Sequence, residues 1–173
     1  MPPLPPTTSP RLANLAGAAV CAALLGYAYY AQFELGLDPC PLCIFQRIGV
    51  FCLGLVFLAA AIHDPRGLGR RVYAALVFVA AGLTAAVALR QLYIQSLPPD
   101  SVPACGATLK FMLKVLPLSD VISKVLSGSG ECAKVTWRFL GLSMPAWVLV
   151  AVLALGLYGL WANLCRRRPV LRF

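Results

Sequence analysis

The chain has 173 residues, 60% of them hydrophobic and only 12% charged, with a formal net charge of +9. A soluble domain carries roughly 25% charged residues, so an ordinary water-soluble globule is excluded. The basic excess offers no surface interleaved with aromatic side chains for bases to stack on, so nucleic acid is not an expected partner.

Residues 1–11 hold Pro2, Pro3, Pro5, Pro6 and Pro10 and have no means of forming a core; a disordered leader is expected. Four apolar runs follow, at 12–33, 44–62, 72–89 and 146–164. Runs of about 18–22 residues cross roughly 30 Å of hydrocarbon as helices. The first is too long for a signal-peptide core, and the bulky stretch 26–30 offers no small-residue cleavage site, so it reads as a retained span. The expected fold is an all-α membrane protein. It comprises one four-helix transmembrane domain over 12–164, outer loops at 34–43 and 90–145, and a basic tail at 165–173.

Orientation follows from the arginines. Arg11, Arg66, Arg70, Arg71, Arg166, Arg167, Arg168 and Arg172 fall on one side and supply eight of the fifteen Lys and Arg, against one acid, Asp64. The positive-inside rule places that side, with both termini, in the cytoplasm. Cys40, Cys43, Cys105 and Cys132 then all face the opposite compartment. Cys21 and Cys52 lie within spans and Cys165 at a cytoplasmic end; these three read as buried or reduced thiols with packing roles.

Four cysteines in an oxidising compartment suggest disulfides, and three pairings are open. Local reach favours Cys40 with Cys43, which leaves Cys105 with Cys132. A Cys-x-x-Cys ring adds little chain-entropy stabilisation, so reactivity is the better reason for it. The pair opens a helix, where unpaired backbone N–H groups favour a thiolate. Arg47, one turn beyond Cys43, places a cation where the topology rule gives no preference for one. It can stabilise a thiolate or the oxyanion of a carrier being reduced. Arg90 ends the third span on the same side and reads more simply as an interfacial anchor. Cys105 lies in a proline-rich segment and Cys132 follows the flexible run 127–130, so both suit shuttling better than stapling.

Between them, Leu118, Val121, Ile122, Val125 and Leu126 follow helical spacing, with Asp120, Ser123, Lys124 and Ser127 opposite and Ser119 as a cap. Two readings are open for this short helix: it lies in the membrane interface and tethers the loop near Cys40, or it packs on protein.

The stretch 40–47, Cys-Pro-Leu-Cys-Ile-Phe-Gln-Arg, is followed by a lone loop cysteine, then Gly130-Glu131-Cys132, then Trp-Arg-Phe-Leu-Gly-Leu-Ser-Met-Pro-Ala-Trp over 137–147. Together these resemble the DsbB family of bacterial inner-membrane disulfide-generating proteins, over nearly the whole chain. The resemblance implies a multi-pass monomer with its redox cysteines in the periplasm. In this reading Cys105 is attacked by a soluble thioredoxin-fold dithiol oxidase of the DsbA type, and Cys132 resolves the mixed disulfide. Electrons then reach Cys40 and Cys43 through a Cys40–Cys132 bridge. Cys43 faces a quinone (ubiquinone or menaquinone) and Arg47 holds the developing negative charge. The best-known member has a histidine after the third span; residues 91–95 contain none, and the single histidine, His63, lies on the cytoplasmic side. Three alternatives differ in class: a vitamin-K-epoxide-reductase-like quinone enzyme, whose motif lies late in the chain; a four-thiolate zinc module, for which the spacing is wrong; and a scaffold with structural disulfides. No metal is expected.

Overall fold

A computed structural model describes residues 9–98, 114, 117–127, 130–133, 135 and 137–165. The readings made for residues 1–8, for Cys105 and its loop, and for the tail beyond Cys165 lie outside the described residues.

Each long helix is set by its ends. Helix α1 (Pro10–Phe33) starts behind Ser9, whose hydroxyl accepts the Leu12 N–H at 3.3 Å, with proline in its first turn. It stops where Gly36 turns left-handed at φ 63° and the Leu37 N–H reaches back to the Ala31 carbonyl at 3.2 Å. Helix α2 (Pro41–His63) again carries proline in its first turn and ends at Asp64, left-handed at φ 43°, before Pro65. Helix α3 spans Leu68–Ser96. Two short helices follow, α4 (Leu118–Ser127) and α5 (Gly130–Ala133). Strands β1 (Arg138–Phe139) and β2 (Leu142–Ser143) then form a hairpin leading into α6 (Met144–Leu164).

The four long helices have the length and apolar character of membrane spans. The run 72–89 is the shortest of the four in the sequence, yet α3 is the longest helix at 29 residues. Arginine and glutamine are good helix formers, so charge ends the apolar run without ending the helix.

Around the bundle, α1 packs on α2, α2 on α3 and α3 on α6, while α6 meets α1 along a thinner seam. The core centres on Phe57, with Leu53, Val77, Val152 and Cys21 around it. Glycines allow the close approach. A Cβ on Gly17 would lie 2.8 Å from the Phe57 ring, and one on Gly159 would lie 2.5 Å from Val77. Such small-residue contacts hold helices together in lipid, where burying apolar surface contributes little to association. The outward faces remain apolar, as Phe78, Leu83 and Leu157 show, each more than half exposed. Cys52 is a free thiol and also exposed, because its position on α2 points away from the bundle axis. Cys21 is buried beside Gly54 as a packing residue.

Near the arginine-rich end, α1 and α6 are joined by a closed polar pair. Asn14 and Asn163 each donate to the other's side-chain oxygen at 3.1 Å. Their remaining N–H groups go to the Pro10 and Gly159 carbonyls at 3.0 and 2.9 Å. The Tyr158 hydroxyl donates to the Ala13 carbonyl at 3.0 Å beside them.

The hairpin was not foreseen in the sequence. Arg138 pairs with Ser143 and Phe139 with Leu142, across a two-residue turn. Leu140 and Gly141 are both left-handed, at φ 50° and 80°, the geometry that matches strand twist in a tight hairpin. The Trp147 indole donates to the Phe139 carbonyl at 3.0 Å, fixing the hairpin to the first turn of α6.

Candidate functional site

The cysteine end of the bundle collects side chains from every long helix. Cys40 precedes the first residue of α2 and Cys43 lies in its first turn, where their Sγ atoms are 3.3 Å apart.

Cys132 comes to the same place from α5. It is fully buried, in one cluster with Cys40, Leu42 and Ile94. Cys132, which follows a run expected to be flexible, is thus buried on a helical turn. Val121 and Val125 of α4 belong to the same cluster, so these two side chains pack on protein. The Cys40 thiol is held above its ordinary range, first by its hydrogen bond with Cys132, then by that with Cys43, then by burial. Cys40 is thus the sulfur shared by both neighbours.

Two glutamines complete the cluster. Gln91, buried on α3, directs its Nε2 at Cys40 Sγ (3.4 Å) and at Cys43 Sγ (3.3 Å). Its Oε1 accepts from Gln46 Nε2 at 2.7 Å and lies 3.6 Å from Cys43 Sγ. Neither glutamine is among the site residues expected from the sequence. The available signal was a pair of uncharged polar residues inside segments apolar enough to span a membrane, where such residues are costly and tend to be functional.

Arg47 is turned toward α1. Its guanidinium donates to Gln32 Oε1 and to the Ala28 carbonyl (3.0 Å), and sits 5.3 Å from the centre of the Tyr29 ring. It is fixed in place by α1 and still lines the space in front of Cys43. Arg90 stacks on Tyr93 at 5.3 Å and does not line that space.

That space is a cavity of about 600 Å³ between α1 and α6. Its polar end is formed by Cys40, Cys43, Arg47 and Gln91, and its walls by Leu24, Tyr27, Ala28, Trp137, Trp147 and Val148. Small-molecule sites are typically this large and this apolar, with a few converging polar groups.

The sequence pattern of the family described as "Disulfide bond formation protein DsbB" matches residues 10–162. The chain belongs to the DsbB family. Among its relatives, the Disulfide bond formation protein B of Marinobacter nauticus is 53% identical over 150 residues, covering 87% of this chain and 89% of that protein. That of Hahella chejuensis is 52% identical over 148 residues, covering 86% and 88%. That of Methylococcus capsulatus is 52% identical over 157 residues, covering 90% and 96%. Membership implies oxidoreductase chemistry in disulfide bond formation. The match to the DsbB pattern runs through all four long helices, so it covers the elements that assemble the cysteine cluster and the cavity.

Proposed function

We propose that the protein reoxidises a periplasmic thioredoxin-fold dithiol oxidase of the DsbA type and passes the two electrons to a membrane quinone. It would lie in a bacterial inner membrane as a monomer with both termini cytoplasmic and the cysteine end periplasmic. The basic residues at the opposite end support that orientation. The observation that carries the reading is the cavity: a largely apolar space walled by α1, α6 and the hairpin, with Cys43 and a fixed cation at its polar end.

In this reading the partner's thiolate attacks Cys105 of a Cys105–Cys132 disulfide, and a second partner thiolate releases the oxidised partner. Cys132 thiolate then attacks Cys40 Sγ. The Cys132–Cys40 bond forms, the Cys40–Cys43 bond breaks, and its electron pair remains on Cys43. Cys105 thiolate next attacks Cys132, restoring the first disulfide and freeing Cys40. The contact between Cys132 and Cys40 supports this exchange. A bound quinone would supply the sink for two electrons and two protons, so that Cys40–Cys43 can re-form. Arg47, anchored by α1, is suited to hold charge on a ring oxygen, and the indoles of Trp137 and Trp147 are suited to its apolar body. A DsbA-type oxidase lies near roughly −120 mV, so the acceptor must be more oxidising still; each 30 mV contributes about 1.4 kcal/mol.

The test mixes the purified protein with a reduced thioredoxin-fold dithiol and a short-chain ubiquinone or menaquinone, following quinone absorbance. Wild type is expected to reduce the quinone. Cys43→Ser and Cys105→Ser are expected to lose this, with Cys105→Ser still holding an intact Cys40–Cys43 disulfide. Wild-type rates from Cys43→Ser would overturn the mechanism.

A further inference from the structure

The Gln46–Gln91 pair goes beyond a packing contact, because its free valence is directed at sulfur. Gln91 has two N–H bonds, and both reacting sulfurs of the Cys-x-x-Cys pair lie within hydrogen-bond range of the same Nε2. An amide can turn over and present its oxygen instead. Gln46 opposes this, because its Nε2 donates to Gln91 Oε1 at 2.7 Å, and that oxygen lies farther from Cys43 Sγ (3.6 Å) than Nε2 does (3.3 Å). Both side chains are buried, so water does not compete for these bonds.

We propose that Gln91 is a positioning residue for the Cys40–Cys43 couple, its amide locked by Gln46 so that N–H donors face whichever sulfur carries the electron pair. The inference rests on the redox reading above. When Cys132 attacks Cys40, the Cys40–Cys43 bond breaks with its pair left on Cys43, and no proton is required for that step. Gln91 Nε2 already faces Cys43 and does not move as the charge arrives. When the thiol form is present instead, Gln91 Oε1 lies near enough to accept its S–H. A carboxamide thus serves the sulfur in both protonation states while adding no titrating group of its own.

The amide N–H groups bond a thiolate more strongly than a disulfide sulfur. They therefore favour the reduced couple and make Cys40–Cys43 easier to reduce. The experiment measures the equilibrium of that couple with a dithiothreitol or glutathione buffer, in full-length protein carrying Cys105→Ser and Cys132→Ser, by alkylation and gel shift. Neither partner nor quinone is needed. Gln91→Met keeps the side-chain length without the donors, and is expected to shift the equilibrium roughly tenfold toward disulfide, about 30 mV for this two-electron couple.

A second variant separates orientation from packing. Gln46→Met leaves Gln91 in place and adds no charge, but removes the donor that holds Gln91 Oε1, so the amide is free to turn its oxygen to the sulfurs. A smaller shift in the same direction is expected, whereas a purely structural Gln91 predicts none. An unshifted equilibrium in both variants, with the couple still titrating, overturns the assignment and leaves the redox reading standing. If Cys40 and Cys43 form no disulfide in the parent, the redox reading and the assignment fall together.

Discussion

Two pairs of carboxamides are buried in this bundle, one toward each end, and they dispose of their hydrogen bonds differently. Asn14 and Asn163 donate to each other and spend their other N–H groups on backbone carbonyls of their own helices. No N–H is left over for a ligand. Gln46 and Gln91 make a single bond between them, and Gln91 Nε2 is then directed at two sulfurs. A closed amide pair fastens helices, whereas an open one serves chemistry. The seam between α1 and α6 follows the same division. Near the arginine-rich end it is held by Asn14, Asn163 and Tyr158, and at the cysteine end it parts around the cavity.

The largest expected effect that separates the two ends is on catalysis. Arg47→Met removes the fixed cation at the polar end of the cavity. Losing one preorganised charge-stabilising donor typically costs a hundredfold or more in rate. A fall of about a hundredfold in kcat/KM for quinone is expected, measured per folded molecule because the bonds to Gln32 and Ala28 are lost as well. Replacements at the opposite end should do the reverse. Gly159→Ala drives a Cβ to 2.5 Å from Val77 and 2.9 Å from Phe57. Overpacking of this kind costs about 1–3 kcal/mol, and the upper half of that range is expected because both neighbours are fully buried. Thermal unfolding in detergent measures it, and the rate per folded molecule should hold.

Asn163→Leu has a smaller expected cost. It strands the side-chain oxygen and one N–H of Asn14 in the interior, which destabilises by about 1–2 kcal/mol. If quinone reduction falls more than stability does, the division between a fastening end and a reacting end is wrong. Asn14→Leu combined with Asn163→Leu sharpens the test. With no unpaired amide left, the double variant should recover part of the loss, and a fully additive loss would argue against a direct pair.

The sequence made the architecture legible because lipid imposes strong constraints. Apolar runs between charged residues mark spans, and arginine asymmetry orients them. Cysteine positions and the Phe-Leu-Gly segment carried the family. Other features were set by tertiary contact and left weaker traces. The length of α3 was hidden because hydropathy registers Arg90 and Gln91 as an end, although both continue a helix. The hairpin was hidden because Leu140 adopts φ 50°, which a bulky side chain rarely does, and only the neighbouring Gly141 hinted at a turn. Burial of Cys132 against Cys40 depends on α4 and α5 folding over the end of α2. Ser127 and its glycine neighbours suggested only freedom. Val121 and Val125 showed the correct helical spacing, but spacing does not say whether an apolar face meets lipid or protein. Gln46 and Gln91 lie 45 residues apart, and nothing local connects them.

The smallest effect concerns proton binding at Cys40. Its thiol is held above the ordinary range chiefly by Cys132, then by Cys43 and burial. In the reduced protein the folded state therefore keeps this proton at a pH where the unfolded chain releases it. The contribution is fully present below the unfolded thiol value, near 8.5. It is lost as pH rises above that, because unfolding then releases a proton. Cys132→Ala removes the leading cause, so the thiol value at Cys40 should fall toward normal. Two consequences follow for reduced protein. The decline in thermal midpoint above about pH 8.5 should be shallower in Cys132→Ala than in wild type. The pH midpoint for alkylation of Cys40 should also move down. Greater exposure of Cys40 also eases its burial and would move the midpoint the same way, so Cys132→Val, which keeps the cover without the bond, separates the two causes: the midpoint still falls where the lost hydrogen bond leads. A midpoint that stays in place would mean that Cys132 covers Cys40 without bonding to it, and the exchange between these two sulfurs would lose its structural support.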